Sequence, residues 1–236
     1  MHSLTHWDHL FALFVFIAYP VLARINFPAL AKRVRESGEP AKIQAYVQTI
    51  LTTLCFALIL LGLWFWLQRD WQSLGIRPAP LQQTVYGLVI CIAVLGFTVL
   101  QFRAMQREEM AKLAASLGDL ATLMPRTERE QVWFRLVSSN AGISEELLYR
   151  GFLIWYFSQL VDVWWAAGIA VLVFTFAHSY QGIKQVPGLL YISSVLVVLY
   201  LVSGSLLLPI LFHAVYDMLQ GFYIARLLGN PEPASG

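Results

Sequence analysis

The chain has 236 residues, of which 58% are hydrophobic and only 13% charged, with a formal net charge of +2. A soluble domain carries about 25% charged residues, so this deficit indicates an integral membrane protein, and the length suits one domain. The small net charge, with no basic tail and no Lys/Arg-rich run interleaved with aromatics, excludes a nucleic-acid partner. Cys55 and Cys91 sit in apolar runs without CxxC spacing and read as small buried hydrophobes.

A helix needs about 20 mostly apolar residues to cross a bilayer. Seven such segments are predicted, at 7–25, 45–67, 81–102, 134–158, 162–180, 187–203 and 205–227. The expected fold is an all-α polytopic membrane helix bundle forming a single domain over 1–236. The first segment has no Lys or Arg before its apolar core, so it reads as a retained helix rather than a cleaved signal. Between the third and fourth segments, Met110, Leu113, Leu117, Leu120 and Met124 recur at spacings of three and four. That pattern predicts an interfacial amphipathic helix ended by Pro125, either covering the bundle or gating a substrate. The division expected is scaffold helices and linker over 1–130, a helix core carrying the chemistry over 131–228, and a disordered tail over 229–236.

Lys and Arg concentrate after the first segment (Arg24, Lys32, Arg33, Arg35, Lys42) and after the third (Arg103, Arg107, Lys112, Arg126, Arg129). The positive-inside rule then puts the N-terminus outside and the C-terminus in the cytoplasm. Trp64, Trp66, Trp71, Trp155, Trp164 and Trp165 read as interfacial anchors.

Intramembrane charge is costly and ordinarily faces a partner or a polar cavity. Well inside the last four segments the ionisable residues are Glu145, Glu146, Arg150, His178, His213 and Asp217. Glu146 and Arg150 are four apart and share a helix face, as do His213 and Asp217. Glu145 is rotated about 100° from Glu146, so the two glutamates point different ways. Gly142, with Ser138, Ser139 and Asn140, permits close helix approach just before them. Each element alone has a plainer reading: an ion pair, an interfacial histidine, a helix-joining pair and, for Phe174, core. Together they indicate a polar cavity. A carboxylate beside a histidine can deprotonate water, and a second histidine can stabilise an oxyanion. No serine or cysteine sits in a convincing nucleophile setting, so water attack on a carbonyl is the natural chemistry.

In order along the chain, "EELLYR" (Glu145 to Arg150) fits EExxxR, "FTFAH" (Phe174 to His178) fits FxxxH, and "HAVYD" (His213 to Asp217) fits HxxxN/D. Over roughly 130–228 the chain thereby resembles the CAAX-prenyl protease and bacteriocin-processing (CPBP) family, which includes the Ras-converting CAAX endoprotease. The resemblance implies an intramembrane endopeptidase. Glu145 and His178 would activate water, His213 and Asp217 would serve the oxyanion pocket, and Glu146, Arg150 and Phe174 would shape the site. An ionised Asp cannot donate a hydrogen bond, so Asp217 is expected to orient His213 and favour its cation. HExxH, the common zinc-protease signature, is absent; members of the family have often been called metalloproteases, but the resemblance also implies a metal-free, glutamate-dependent mechanism, which is preferred. The alternative is a zinc ion on Glu145, His178 and His213.

The expected partners are the bilayer and a membrane-anchored or lipidated substrate: a CAAX-type tail, a peptide precursor or a C-terminal anchor. The expected location is a prokaryotic inner or plasma membrane. Two other functions compete: a non-catalytic scaffold or immunity protein of the same family, and a proton-coupled transporter. The transporter lacks support from paired inverted halves or broken helices.

Overall fold

The computed structural model describes residues 4–229, which are helical with no strand among them. Eight helices build the bundle. They are α1 (His6–Ser37), α2 (Glu39–Trp66), α3 (Leu81–Ala104), α4 (Arg107–Ser116), α5 (128–158), α6 (Val163–Ala177), α7 (Val186–Ser203) and α8 (Leu207–Gly229). Residues 230–236, most of the expected tail, lie outside the described residues.

Each of the seven predicted apolar segments is a helix. Five, α1, α2, α3, α8 and α7 with its preceding turn, are long and apolar enough to cross a membrane. The other two fall short for different reasons. α5 carries charges at both its start and its middle, and the 15 residues of α6 rise only about 22 Å against a hydrocarbon core of about 30 Å. Several boundaries also move. α1 continues to Ser37, so Arg24, Lys32, Arg33 and Arg35 lie on a helix rather than in a loop. Gly38, at φ +66°, stops it. α5 starts at Glu128, where Thr127 and Glu130 form a reciprocal capping box. The predicted amphipathic helix is cut short. α4 covers its first half, Gly118 at φ +52° breaks it, and a 3₁₀ turn over Gly118–Leu123 follows. Leu117 and Met124 nevertheless pack with Ile224 of α8, as the apolar stripe requires.

Large apolar side chains such as Trp164, Trp165, Phe65 and Ile92 point outward. Outward apolar surface leaves little hydrophobic drive between helices in lipid, so polar contacts and close packing must hold them. Two buried clamps do this at opposite ends. At one end Arg69 donates from both terminal nitrogens to Asp8 of α1, each at 2.6 Å, and lies over the rings of Trp64 and Trp155, which touch each other edge-on. This clamp ties α1, α2 and α5 at a rim where the sequence suggested only tryptophan anchors. At the other end Lys42 of α2 donates to Glu130 of α5 at 2.9 Å and to the carbonyl of Met124 at 3.0 Å. Arg35–Asp119 and Arg129–Glu39 pairs lie on that same Lys/Arg-rich face.

Burial pushes the Glu130 carboxyl up. The Lys42 hydrogen bond, bonds from the Arg126 and Thr127 amides and the Lys42 charge together outweigh burial and hold it below its ordinary value. A depressed folded-state value gives stability that is present above the unfolded-state value and lost as pH falls through the folded one. Stability against thermal unfolding in detergent should therefore fall as pH drops below about 4.3, the ordinary glutamate value. Glu130→Gln should flatten that loss and lower neutral-pH stability by roughly 3–5 kcal/mol, because Lys42 is left buried without its counter-charge.

Candidate active site

The site forms where α5 changes its winding. The α-helix Glu128–Glu146 passes into a π-helical stretch, Leu147–Leu153, before Ile154–Ser158 resumes the α form. π segments are rare and concentrate at functional sites. No sequence feature announced this one. All seven of its residues are buried, and Arg150 is among them.

Glu146 is the hub. Its Oε1 accepts from Arg150 Nη1 at 2.8 Å and from His213 Nδ1 of α8 at 2.6 Å. Neither Glu146 nor Arg150 has any exposure. Arg150 Nη2 turns to α7, donating to the Ser193 hydroxyl at 3.0 Å and carbonyl at 3.2 Å. Its guanidinium also sits 4.6 Å from the centre of the Phe174 ring. Four helices, α5, α6, α7 and α8, thus meet on one ion pair. Among the described residues Glu146 Oε2 and Arg150 Nε have no hydrogen-bond partner.

The α5–α8 approach that permits this rests on Gly142. A Cβ there would come 2.7 Å from the Ile210 carbonyl oxygen and 3.1 Å from the Ala214 side chain. The small-residue reading of Gly142 is therefore met by backbone contact. Asn140 donates to Thr53 of α2 at 2.6 Å, fixing the other side of α5.

Glu145 faces elsewhere, as the helical rotation predicts. Its Oε2 lies 3.5 Å from His178 Nε2, just past the end of α6. His178 Nδ1 donates to the Phe174 carbonyl at 2.9 Å, which leaves Nε2 of the neutral ring as the acceptor facing Glu145. Both side chains of this pair keep partial exposure, 15% for Glu145 and 16% for His178, whereas Glu146 has none. His213 Nε2 lies 3.5 Å from Asp217 Oδ2, one turn along α8.

Phe174 spaces the two histidines. It stacks on His178 with centroids 4.2 Å apart and meets His213 edge-on at 6.2 Å. Tyr149 packs against its ring at 5.0 Å. All seven residues singled out in the sequence come together. The sequence did not show that Glu146, rather than Glu145, takes His213. It also missed Ser193, although a serine inside an apolar span is itself a signal for an interhelical bond. Among the described residues no group of three or more His, Cys, Asp or Glu side chains is placed to hold a metal ion. The alternative set of Glu145, His178 and His213 is thus not drawn together as a ligand cluster.

Residues 129–219, from the first turn of α5 to just beyond Asp217, match the family model described as Type II CAAX prenyl endopeptidase Rce1-like. Over these residues the chain is similar to the Rce1-like family. That is a protease family, and the match takes in all three motifs and the whole Glu146 network. α1 to α4 lie outside the matched stretch. No curated protein and no solved structure matches the chain.

Gly142→Ala should destabilise the Rce1-like core by about 1–3 kcal/mol, since its methyl meets backbone rather than a side chain that can yield. Activity should fall as α8 is pushed from Glu146. Gly62→Ala in α2, where a Cβ meets nothing within 4 Å, is the control and should be neutral or stabilising. Thermal unfolding of the two variants in one detergent checks the contrast.

Proposed function

We propose that this protein is an intramembrane endopeptidase hydrolysing a peptide bond in a membrane-anchored or lipidated substrate. A CAAX-type tail, a peptide precursor and a C-terminal membrane anchor are the substrate classes considered. The observation that carries the reading is the division of the site into a sealed Glu146–Arg150–His213 network and a partly open Glu145–His178 pair. A purely structural ion network has no use for a second, solvent-reachable acid–histidine pair beside it.

In the proposed reaction, a water held between Glu145 and His178 Nε2 attacks the scissile carbonyl carbon. The 3.5 Å separation is longer than the about 2.7–3.2 Å of a direct bond, so the pair is not locked together and can part by about 1 Å to take a shared water. The water's proton passes to the Glu145–His178 pair. The carbonyl oxygen becomes an oxyanion, stabilised by the Nε2–H of protonated His213. Glu146 accepts from Nδ1 of that ring and fixes its orientation, while Asp217 favours its charged form. Collapse of the intermediate breaks the C–N bond, and the proton held by the pair goes to the leaving amine. The products are a new carboxylate and a new amine. The low dielectric around the buried network strengthens the oxyanion step. No step is routed through a metal.

The Lys/Arg-rich face, with the α8 C-terminus on its side, is proposed to be cytoplasmic in a multi-pass membrane orientation.

Glu145→Gln should lower turnover by about 10²–10⁴-fold, the range for loss of a general base. Peptide termini in membranes carrying wild-type protein or Glu145→Gln at matched expression provide the readout. Uncleaved precursors should accumulate in the variant, whereas identical termini would indicate a non-catalytic scaffold. Active purified protein should contain no stoichiometric zinc and should keep its rate after dialysis against a chelator. Elemental analysis showing one tightly bound zinc per active chain would overturn the metal-free mechanism.

A further inference from the structure

Glu145 and His178 hold a water only by its hydrogens. A carboxylate accepts, and Nε2 of the neutral His178 ring also accepts, because Nδ1 donates to the Phe174 carbonyl. A water between them therefore points both hydrogens at acceptors. Its oxygen keeps two lone pairs, and one of them must be aimed at the carbonyl carbon. Nothing in the pair donates to that oxygen, so the pair alone leaves it free to swing. A donor beside the pair would fix it.

Two phenols lie beside the His178 ring, Tyr180 at 6.2 Å and Tyr149 at 6.5 Å between ring centres. Tyr180 belongs to the turn after α6. Tyr149 belongs to α5, four residues after Glu145, and residues four apart share a helix face. The Glu146–Arg150 bond has the same spacing and survives the π winding. Two rings hold Tyr149 edge-on, Phe174 at 5.0 Å and Phe16 of α1 at 5.1 Å. Phe16 lies in a second π-helical stretch, Phe14–Ala18, so the two π segments meet at this contact. The phenol is near enough to Glu145 for the carboxylate charge to act on it.

A buried tyrosine hydroxyl ordinarily finds a partner. Tyr46 bonds the Leu123 carbonyl, and Tyr156 bonds His9. Tyr149 is only 6% exposed, yet among the described residues its hydroxyl makes no hydrogen bond. The sealed side-chain atoms without a partner are Glu146 Oε2 and Arg150 Nε, and the Tyr149 oxygen is not one of them. An unbonded hydroxyl that is not sealed opens onto space that water can reach. Its neighbours Glu145 and His178 are themselves partly exposed.

We propose that Tyr149 is a further catalytic residue, whose hydroxyl donates a hydrogen bond to the oxygen of the attacking water and aims its other lone pair at the scissile carbonyl carbon. The phenol keeps its own proton throughout. The water's proton still passes to the Glu145–His178 pair and from there to the leaving amine. After attack the hydroxyl stays on the same oxygen, which becomes part of the tetrahedral intermediate and then of the new carboxylate. This inference rests on the endopeptidase reading and deepens it by naming the donor to the nucleophile.

The test uses the full chain in proteoliposomes with a lipidated CAAX-type peptide and with the same peptide carrying a difluoroketone in place of the scissile amide. The ketone hydrate is not cleaved, and its two hydroxyls stand for the two oxygens of the tetrahedral intermediate. Tyr149→Phe removes the hydroxyl and keeps the ring that packs on Phe16 and Phe174. It should lower kcat about tenfold, the scale of one hydrogen bond, with KM close to the wild-type value. Binding of the hydrate should weaken by about the same factor, and the thermal midpoint should not move. Tyr149→Leu, which also removes the ring packing, should lower both kcat and the midpoint. Tyr180→Phe should keep the wild-type kcat.

Unchanged kcat and unchanged hydrate binding in Tyr149→Phe, with wild type cleaving the peptide, would sink the Tyr149 assignment alone. A raised KM at constant kcat would make the hydroxyl a substrate-binding group and overturn the proposal. A loss of kcat matched by a lower midpoint would reduce Tyr149 to packing, with the same result. A loss in Tyr180→Phe without one in Tyr149→Phe would move the donor to Tyr180. Wild type that neither cleaves the peptide nor binds the hydrate would sink the endopeptidase reading on these substrates, and the Tyr149 assignment with it.

Discussion

A carboxylate with no exposure, set among apolar helices, must be neutralised and hydrogen-bonded or the structure fails around it. Glu146 is that group. It takes Arg150 from its own helix and His213 from α8 on a single oxygen. Arg150 then reaches Ser193 of α7 and lies over Phe174 of α6. Removing one member of such a set costs about 3–5 kcal/mol, because the remaining charge is stranded. This constraint fixes the relative positions of all four helices that carry the motifs. The Glu145–His178 pair sits at the edge of that rigid floor, with His178 stacked on Phe174 and both side chains partly exposed.

The remainder of the bundle supports the network from outside. In lipid the apolar surfaces of helices gain little by meeting each other, so small residues and polar contacts set the packing. Gly142 lets α8 touch the backbone of α5, and the clamps Asp8–Arg69 and Lys42–Glu130 tie opposite ends of the scaffold to it. Arg69 over two tryptophans shows how a charge is made compatible with a rim that is otherwise apolar: the carboxylate neutralises it and the rings shield one side of it. α1 serves both purposes. Its first turn closes one clamp, and its later turns reach the segment after His178 through Arg24 and Phe27.

Much of this was legible in the residues, for a specific reason. Charge inside an apolar run is expensive, so each survivor marks a site, and Glu145, Glu146, Arg150, His178, His213 and Asp217 stood out on that ground alone. Spacing of four along one helix correctly paired Glu146 with Arg150 and His213 with Asp217, and the rotation between adjacent residues correctly sent the two glutamates apart. Helix ends were less legible. A positive run after an apolar segment reads as a loop, yet α1 carries Arg24, Lys32, Arg33 and Arg35 on its continuing turns, because charged side chains at a membrane rim sit comfortably on a helix.

The sequence by itself determined the class of structure, the polar residues of the site and the faces they occupy, since helical periodicity is a local property. Only the tertiary structure decided which glutamate meets which histidine, that α7 supplies Ser193, and that α1 supplies Phe16 behind Tyr149. Those choices depend on how close α5 and α8 approach at Gly142 and on the π winding after Glu146. Spacing along one helix states where a side chain points, but the group waiting there belongs to another helix, and its distance is set by packing.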